Sequence, residues 1–449
     1  MEAINSNALS DNRDGLIDII DSVLTQAKSM GATSAEADIG AGSGLSANVR
    51  KGEVDKLEYE RDKGLGITVY IDGQKGNASS SDFSESALKE SVQAAIRIAQ
   101  HASRDDCAGL IEPELMATVV PDLDLYHPWS ISPEAAIDLA IECEQAAFAC
   151  DKRISNSDGS VVSTYSGINL YGNTNGFIDG WNWSSHTIDC TVIAEDKKGM
   201  QRDGWYSKTR DFNDLESIND ISKEAVRRTV SRLGSRKLST RQVPVIFEAP
   251  VASGLFSAFI TAISGGNLYR QASFLLNKKS TQVFADHINI REKPHIKKAL
   301  GSAPFDNDGV ATRSRDIVKN GMLQDYLLSG YSARKLGLET TGNAGGVRNL
   351  VIESGKNNLD NMVKEMSTGL LITDMIGFGV NQVTGDYSRG ASGFWVENGE
   401  LIYPVEEITV AGNLTEMYKN ITSIGNDVDL RGNILTGSVM IDAMTVAGE

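Results

Sequence analysis

Apolar residues recur at helical spacing over residues 14–30, where Leu16, Ile19, Ile20, Val23, Leu24 and Ala27 mark one face and Gly31 ends the run. That period predicts an amphipathic helix. The pattern then becomes strand-like over 45–50, 55–60 and 66–71, with Lys51-Gly52, Lys63-Gly64 and Asp72-Gly73 read as turns. Ser81-Asp82-Phe83-Ser84 reads as the cap of a helix reaching His101, with Leu88, Val92, Ile96 and Ile98 as its apolar side.

The same order then returns. Ser132-Pro133-Glu134 opens a helix to Cys150, proline being favoured in a first turn. Strand-like runs follow at 161–166, 168–173, 185–194 and 201–209, and a helix over 217–233 closes the series. Residues 1–240 are therefore expected to form an N-terminal α+β domain, two related halves of helices and antiparallel meanders in one layer. The basic, polar stretch 234–241 reads as a boundary. Beyond it, 241–449 is expected to be a Gly-rich, mostly β domain, a sheet or half-barrel. Val243-Pro244-Val245-Ile246-Phe247 is its buried-type strand, and short helices are expected at 253–263, 331–336 and 359–366. Asn320-Gly321 and Asn398-Gly399 each supply the two positive-φ residues of a type I′ hairpin turn, which suggests one sheet built from a repeated unit.

The densest polar signal precedes the second hairpin. Gly385-Asp386-Tyr387-Ser388-Arg389-Gly390 reads as a glycine-hinged knot, a satisfied loop network or the lining of a binding site. Asn343, Gly345 and Gly346, in the turn Gly342-Asn343-Ala344-Gly345-Gly346, could present N–H groups to an anion, but no Lys-Ser/Thr follows, so a P-loop is excluded. The plainer reading is a helix C-terminal cap and loop. Asp306-Asn307-Asp308-Gly309 lacks the downstream glutamate of a calcium loop and reads as an Asx-rich turn.

Charge and composition narrow the classes. At 449 residues the chain exceeds a single core, and a net charge of −17 opposes binding to nucleic acid or anionic lipid. No apolar run approaches the length of a membrane span, and MEAINSNALSDNRDG has no signal-peptide core. Cys107, Cys143, Cys150 and Cys190 form no C-x-x-C pair and are expected to be buried free thiols, with Cys143 and Cys150 on one helix face. The five histidines, His101, His127, His186, His287 and His295, carry no H-E-x-x-H motif. His287 and His295 flank Glu292, where Pro294 and mixed charges suggest a surface loop. No G-x-S-x-G elbow exists, and Ser388 and Ser392 have no histidine nearby in sequence.

Residues 301–346, GSAPFDNDGVATRSRDIVKNGMLQDYLLSGYSARKLGLETTGNAGG, followed by 384–413, TGDYSRGASGFWVENGELIYPVEEITVAGN, resemble the TldD/PmbA family, and within it the PmbA branch, also called TldE. The likeness covers most of the chain. The resemblance implies a cytosolic metallopeptidase of two related subunits, TldD and PmbA, acting on peptides or unfolded proteins in leader-peptide removal and antitoxin degradation. It has also been tied to DNA gyrase. TldD-type subunits carry zinc through H-E-x-x-x-H on a helix and a later cysteine. Matching the flanks Gly265-Gly266 and Arg270 puts Phe256, Ser257 and Thr261 at those three positions, and no cysteine follows Cys190. A phenyl ring has no lone pair for zinc, and a serine cannot replace a carboxylate base. The resemblance thus implies a chain that binds no cofactor, with zinc in a TldD-type partner subunit, a cytoplasmic location, and no direct contact with nucleic acid or membrane. Asp386, Tyr387, Ser388, Arg389, Asn343, Gly345 and Gly346 are then the substrate- or partner-binding candidates. Two alternatives stand beside it: a free-standing homodimeric peptide-binding protein without catalytic role, and an enzyme using His287, His295 and Glu292.

Overall fold

A computed structural model describes residues 13–448 of the chain; the signal-peptide reading falls mostly outside them. The first half comprises α1 (Arg13–Ser29), β1 (Ser34–Arg50), β2 (Glu53–Ile71), β3 (Gln74–Ser80) and α2 (Glu85–His101). The second repeats it with α3 (Pro133–Cys150), β4 (Ile154–Asn173), β5 (Ile178–Asp196), β6 (Gly199–Thr209) and α4 (Ile218–Ser231). The six strands make one antiparallel sheet, ordered β3-β2-β1-β4-β5-β6, so the halves meet where β1 pairs with β4. Alternation decides the faces. Ala35, Ala37, Ile39 and Ala41 of β1 are buried on the helix side, while Glu36, Asp38, Gly40 and Gly42 face the other way.

The strands are longer than the sequence pattern suggests. Lys63-Gly64 is no turn: both residues sit inside β2, opposite Ala41 and Gly40 of β1. Gly167 does not divide β4; a Cβ there would stand 2.5 Å from the Ala41 carbonyl oxygen, so glycine permits close strand approach. Ile98 is exposed on α2, whose buried face is completed by Ala95 and Ala99. The thiols also divide. Cys143 and Cys190 are buried, Cys107 is intermediate and Cys150 is exposed, so Cys143 and Cys150 do not share a buried face.

The C-terminal region contains β7 (Arg241–Phe247), α5 (Ala249–Ala262), α6 (Gly265–Tyr269), β8 (Ile290–Glu292), β9 (Arg315–Lys319), β10 (Met322–Leu323), α7 (Gly330–Leu336), β11 (Leu350–Ile352) and α8 (Leu359–Met366). It continues with β12 (Gly369–Ile376), β13 (Asp386–Glu397), β14 (Glu400–Asn413), α9 (Leu414–Lys419), β15 (Ile421–Ile424), β16 (Ile434–Leu435) and β17 (Val439–Ala447). Strands β14-β13-β12-β7-β17 run side by side, and β14 pairs again with β17, closing them into a barrel with β15 attached outside. The expected half-barrel is therefore closed. The two Asn-Gly turns have the expected positive φ, 50° and 73° at Asn320 and Gly321, 51° and 75° at Asn398 and Gly399. Their hairpins nevertheless belong to different sheets. The β9–β10 pair lies in a second sheet, β10-β9-β8-β11-β16, and β13–β14 lies in the barrel.

Two buried polar clusters join the sheet to the rest. Arg228 of α4 lies 2.9 Å from Glu248, the residue between β7 and α5, and donates to the Thr373 carbonyl of β12. At the other, the hydroxyls of Tyr70 and Tyr171 donate to Glu36 at 2.7 and 2.8 Å. Cavities of about 360 and 460 Å³ flank Glu36, the first reaching Asp308 and the second Asp306 and Arg348. Burial raises the Glu36 and Asp308 carboxyls above the usual range. Burial, then the nearby Asp308 charge, pushes Asp306 up to about 7, against three backbone N–H donors. A carboxylate raised in the fold holds its proton better folded than unfolded. The stability it contributes is full below the ordinary carboxylate range and is lost as pH climbs through the raised value. Thermal melts should therefore show stability falling from about pH 4, the ordinary carboxylate value, to about pH 7, the raised Asp306 value, with a shallower fall in Glu36→Gln. An identical slope in that variant would remove Glu36 from the account.

Candidate functional site

Helix α5 starts at a proline: Pro250 sits in its first turn, where a missing N–H is harmless. It begins four residues before the expected 253. Its inner face is aromatic. Phe256 and Phe259 are fully buried, Phe284 stacks on Tyr418 at 4.5 Å, and Phe259 meets Phe284 edge-on at 4.9 Å. The Tyr418 hydroxyl is satisfied by the Leu255 carbonyl at 2.8 Å. Phe256 belongs to this core, with its ring 6.3 Å from that of Phe284. Ser257 is exposed on the outer face, and the Thr261 hydroxyl folds back onto the Ser257 carbonyl at 2.9 Å. Phe256, Ser257 and Thr261 therefore offer no donor set that fits zinc. Among the described residues, no group of three or more His, Cys, Asp or Glu side chains is placed to hold a metal.

The polar stretch 385–390 is not a loop knot. From Asp386 onward it is the start of β13, paired in register with β14 from Asp386↔Asn413 to Gly390↔Thr409. Strand alternation sorts its side chains. Asp386 and Ser388 are exposed, and Tyr387 is buried, its phenol pushed up to about 12 by burial. Asp386 accepts hydrogen bonds from the Thr384 hydroxyl at 2.6 Å and the Asn413 amide at 3.2 Å, which hold it below the usual carboxylate range. Arg389 leans over α5: a Cβ added at Gly254 would stand 3.5 Å from its guanidinium. Its Nε donates to the Gly377 carbonyl at 3.0 Å. Ser392 is buried in the barrel wall.

Gly377 opens a connection that folds back onto β13. The Ser388 amide donates to the Gly379 carbonyl at 2.7 Å, and a Cβ at Gly379 would stand 1.6 Å from the Ser388 carbonyl oxygen, so only glycine fits. Ile376 at the end of β12 and Phe378 and Val383 of the connection are exposed, and the Phe378 ring is fully solvated. An apolar rim thus borders the outer face of α5 and Arg389. Sequence reasoning missed it, although Gly377 and Gly379 bracket Phe378.

The second group of expected site residues lies elsewhere, with Asn343 buried, Gly345 exposed and Gly346 half-buried. Asn343 is buried, donates to Glu292 at 2.8 Å and accepts from Arg315 and from the Thr341 hydroxyl. The N–H of Ala344 donates to Asp306 at 2.8 Å, so the anion this turn cradles is the chain's own carboxylate. Gly345 and Gly346 have φ of 86° and 105° and serve that turn. The cap after α7 is Gly337, at φ 66°, so 342–346 is a separate turn. Glu292 is a correction. It is not on a surface loop but 3% exposed on β8, held by Arg315 at 3.0 Å and the Arg348 amide at 2.7 Å. His287 and His295 are exposed, and His295 bonds the Thr312 hydroxyl at 3.0 Å. They form no site with Glu292. Asp306 does accept the expected Asx-turn bonds, from the amides of Asp308 and Val310 at 2.9 Å each.

Comparison with known proteins follows the same anatomy. Three family profiles match in order: PmbA/TldA metallopeptidase domain 1 over residues 35–99, its central domain over 126–233 and its C-terminal domain over 240–448. The chain is 47% identical to Metalloprotease PmbA of Escherichia coli O157:H7, covering 95% of this chain and 94% of that one. It is 24% identical to a Metalloprotease TldD homolog of Buchnera aphidicola, covering 83% and 81%. A Bacteroides thetaiotaomicron protein solved as a candidate modulator of DNA gyrase superposes with a TM-score of 0.93 at 27% identity, over 98% of this chain and all of that one. TldE from Thermococcus kodakarensis shares the fold, with a TM-score of 0.83. The chain belongs to the PmbA/TldD metallopeptidase family, on its PmbA branch.

The geometry of α5 makes Phe256 a core residue first. Phe256→Ala should destabilise the fold by about 3–5 kcal/mol, measured by denaturant unfolding. Ser257→Ala should leave stability within about 0.5 kcal/mol of the parent.

Proposed function

We propose that this chain is the non-catalytic, PmbA-type subunit of a cytoplasmic two-subunit zinc peptidase. In this reading a TldD-type partner supplies the zinc with its two histidines, glutamate and cysteine. The present chain completes the enclosure and helps hold extended or unfolded peptides, as in leader-peptide removal or antitoxin degradation. The observation that carries the reading is the helix α5: Phe256, Ser257 and Thr261, which the resemblance matches to the family's metal positions, offer no donor set for zinc, the first being turned into an aromatic core. Two further features support it. Relatives of the TldD type exist within the same family. An exposed apolar rim, Ile376, Phe378 and Val383, borders the α5 face and suits a partner surface. No helix among the described residues is long and apolar enough to cross a membrane.

In this reading Asp386, Ser388 and Arg389 present side chains along this rim, whereas buried Asn343 holds Glu292 from within and Gly345 and Gly346 shape its turn. Co-expression with a TldD-type chain tests the reading: peptidase activity should appear in the complex and not in this chain alone. Hydrolysis of peptide by the isolated chain with stoichiometric zinc would overturn it. Phe378→Asp should weaken co-purification of the two chains by about tenfold or more while leaving this chain's melting temperature unchanged.

A further inference from the structure

The two halves of the N-terminal sheet are built alike, and one of them leaves an edge open. In the second half, β6 pairs with residues 186–196 of β5 and stops short of 178–185. That shorter stretch is covered by the chain itself. The Ser184 amide donates to the Leu125 carbonyl at 2.9 Å, the His127 amide donates to the Ser184 hydroxyl at 2.8 Å, and Leu123 and Leu125 are buried there. In the first half, β3 pairs with residues 65–71 of β2 and also stops short. Residues 53–64 pair with β1 alone, and among the described residues no other main-chain hydrogen bond reaches them. At about 3.3 Å per residue this edge runs for roughly 35–40 Å.

The open edge also has an uncovered face. Leu57 and Tyr59 share the strand face of Leu65 and Ile67, which lie buried beneath the helices, yet Leu57 and Tyr59 are 40% and 47% exposed. Where the edge meets the end of β3, a hollow of about 520 Å³ holds Asp38 and Asp62 over a floor of Gly40, Gly64 and Gly66. The rest of the edge mixes Glu53, Asp55, Glu58 and Glu60 with Lys56, Arg61 and Lys63, charges that keep an open edge from self-pairing.

We propose that residues 53–64 of β2 are a docking edge for an extended substrate peptide, which adds as a strand in line with β3. The occupant is polypeptide because the equivalent edge of β5 is already met by polypeptide, through the Ser184–Leu125 main-chain bond and the buried Leu123 and Leu125. It is a transient peptide because only Val54, Leu57 and Tyr59 offer large apolar surface, too little for a stable subunit interface. Main-chain pairing gives affinity that tolerates many sequences, and the Asp38–Asp62 hollow favours a cationic side chain beside the edge. The proposal rests on the reading of this chain as a peptide-handling subunit.

The test uses the full chain and a fluorescein-labelled peptide of about ten residues, alternating valine and threonine with a lysine at each end, long enough to span most of the edge. Binding is read by anisotropy. Two further peptides carry N-methyl groups on one or the other alternate set of residues. Strand addition uses the N–H groups of one set only, so one methylated peptide should lose about tenfold or more in affinity and the other should bind like the parent. The exposed double variant Leu57→Asp/Tyr59→Asp should lose affinity for the parent peptide by a similar factor with an unchanged melting temperature. Equal binding of both methylated peptides, or an unaltered double variant, overturns the docking edge while leaving the peptide-handling role standing. No peptide binding by this chain, alone or with a TldD-type partner, overturns both.

Discussion

The second pairing of β14, with β17, is the constraint on which the C-terminal architecture depends. Thr409, Val410 and Ala411 of β14 face Ala447, Val446 and Thr445 of β17, and that register turns an open sheet into a barrel. Closure removes the edges of β14 and β17 that would otherwise be free to pair elsewhere. It also fixes the β13–β14 hairpin, so Arg389 is delivered to Gly254 and the Phe378 connection is set at the rim of α5. Strand β7 lies between β12 and β17 and runs directly into α5 through Glu248. The helix is therefore aimed by the barrel rather than by its own sequence. Glu248 then carries the geometry onward, because its partner Arg228 belongs to the N-terminal sheet's last helix. A buried pair of this kind is weak evidence for net stability, but losing one member strands a charge where the two layers meet.

The N-terminal sheet shows how one pattern can be used twice with different ends. Helix, three strands and helix are repeated, and the halves are joined through the long β1–β4 ladder. The repeat puts carboxylates and glycines of β1 on the face turned away from the helices. There Glu36 is locked by two tyrosines contributed by β2 and β4. Departure from the repeat is local. The connecting segment that follows α2 folds against the second half and covers its edge, and among the described residues no segment does the same for the first.

Much of this was legible in the sequence where the signal is local. The period of α1, the Ser132–Pro133 start of α3 and the positive-φ Asn-Gly turns depend on neighbours in the chain, and they stand where the pattern places them. Misreadings arose where glycine or charge was taken as punctuation. Lys63-Gly64 and Gly167 lie inside strands because glycine there admits a neighbouring strand. The segment from Asp386 to Arg389 alternates out and in as a strand does, but its flanking glycines suggested a loop. Glu292 sits among charged neighbours in sequence and is nevertheless buried, because Arg315, Asn343 and the Arg348 amide reach it from distant segments. Barrel closure, the Arg389–α5 approach and the unequal sheet edges are all non-local pairings, and no local pattern encodes them. Membership of the family was legible because it rests on long runs of sequence rather than on any one motif.

Helix α5 separates two demands that a metal-binding helix would have to meet together. Its inner face must fill the space beside Phe284 and Tyr418, and Phe256 and Phe259 do so. Its outer face carries the exposed Ser257 and borders Arg389, which lies close over Gly254. Removing ligands from such a helix leaves the core intact as long as the inner face keeps its volume. A fold that needs the helix for packing keeps its shape through that inner face, whatever the outer face carries. That division lets the aromatic inner face of α5 hold its polar outer face and the apolar rim in one fixed relation.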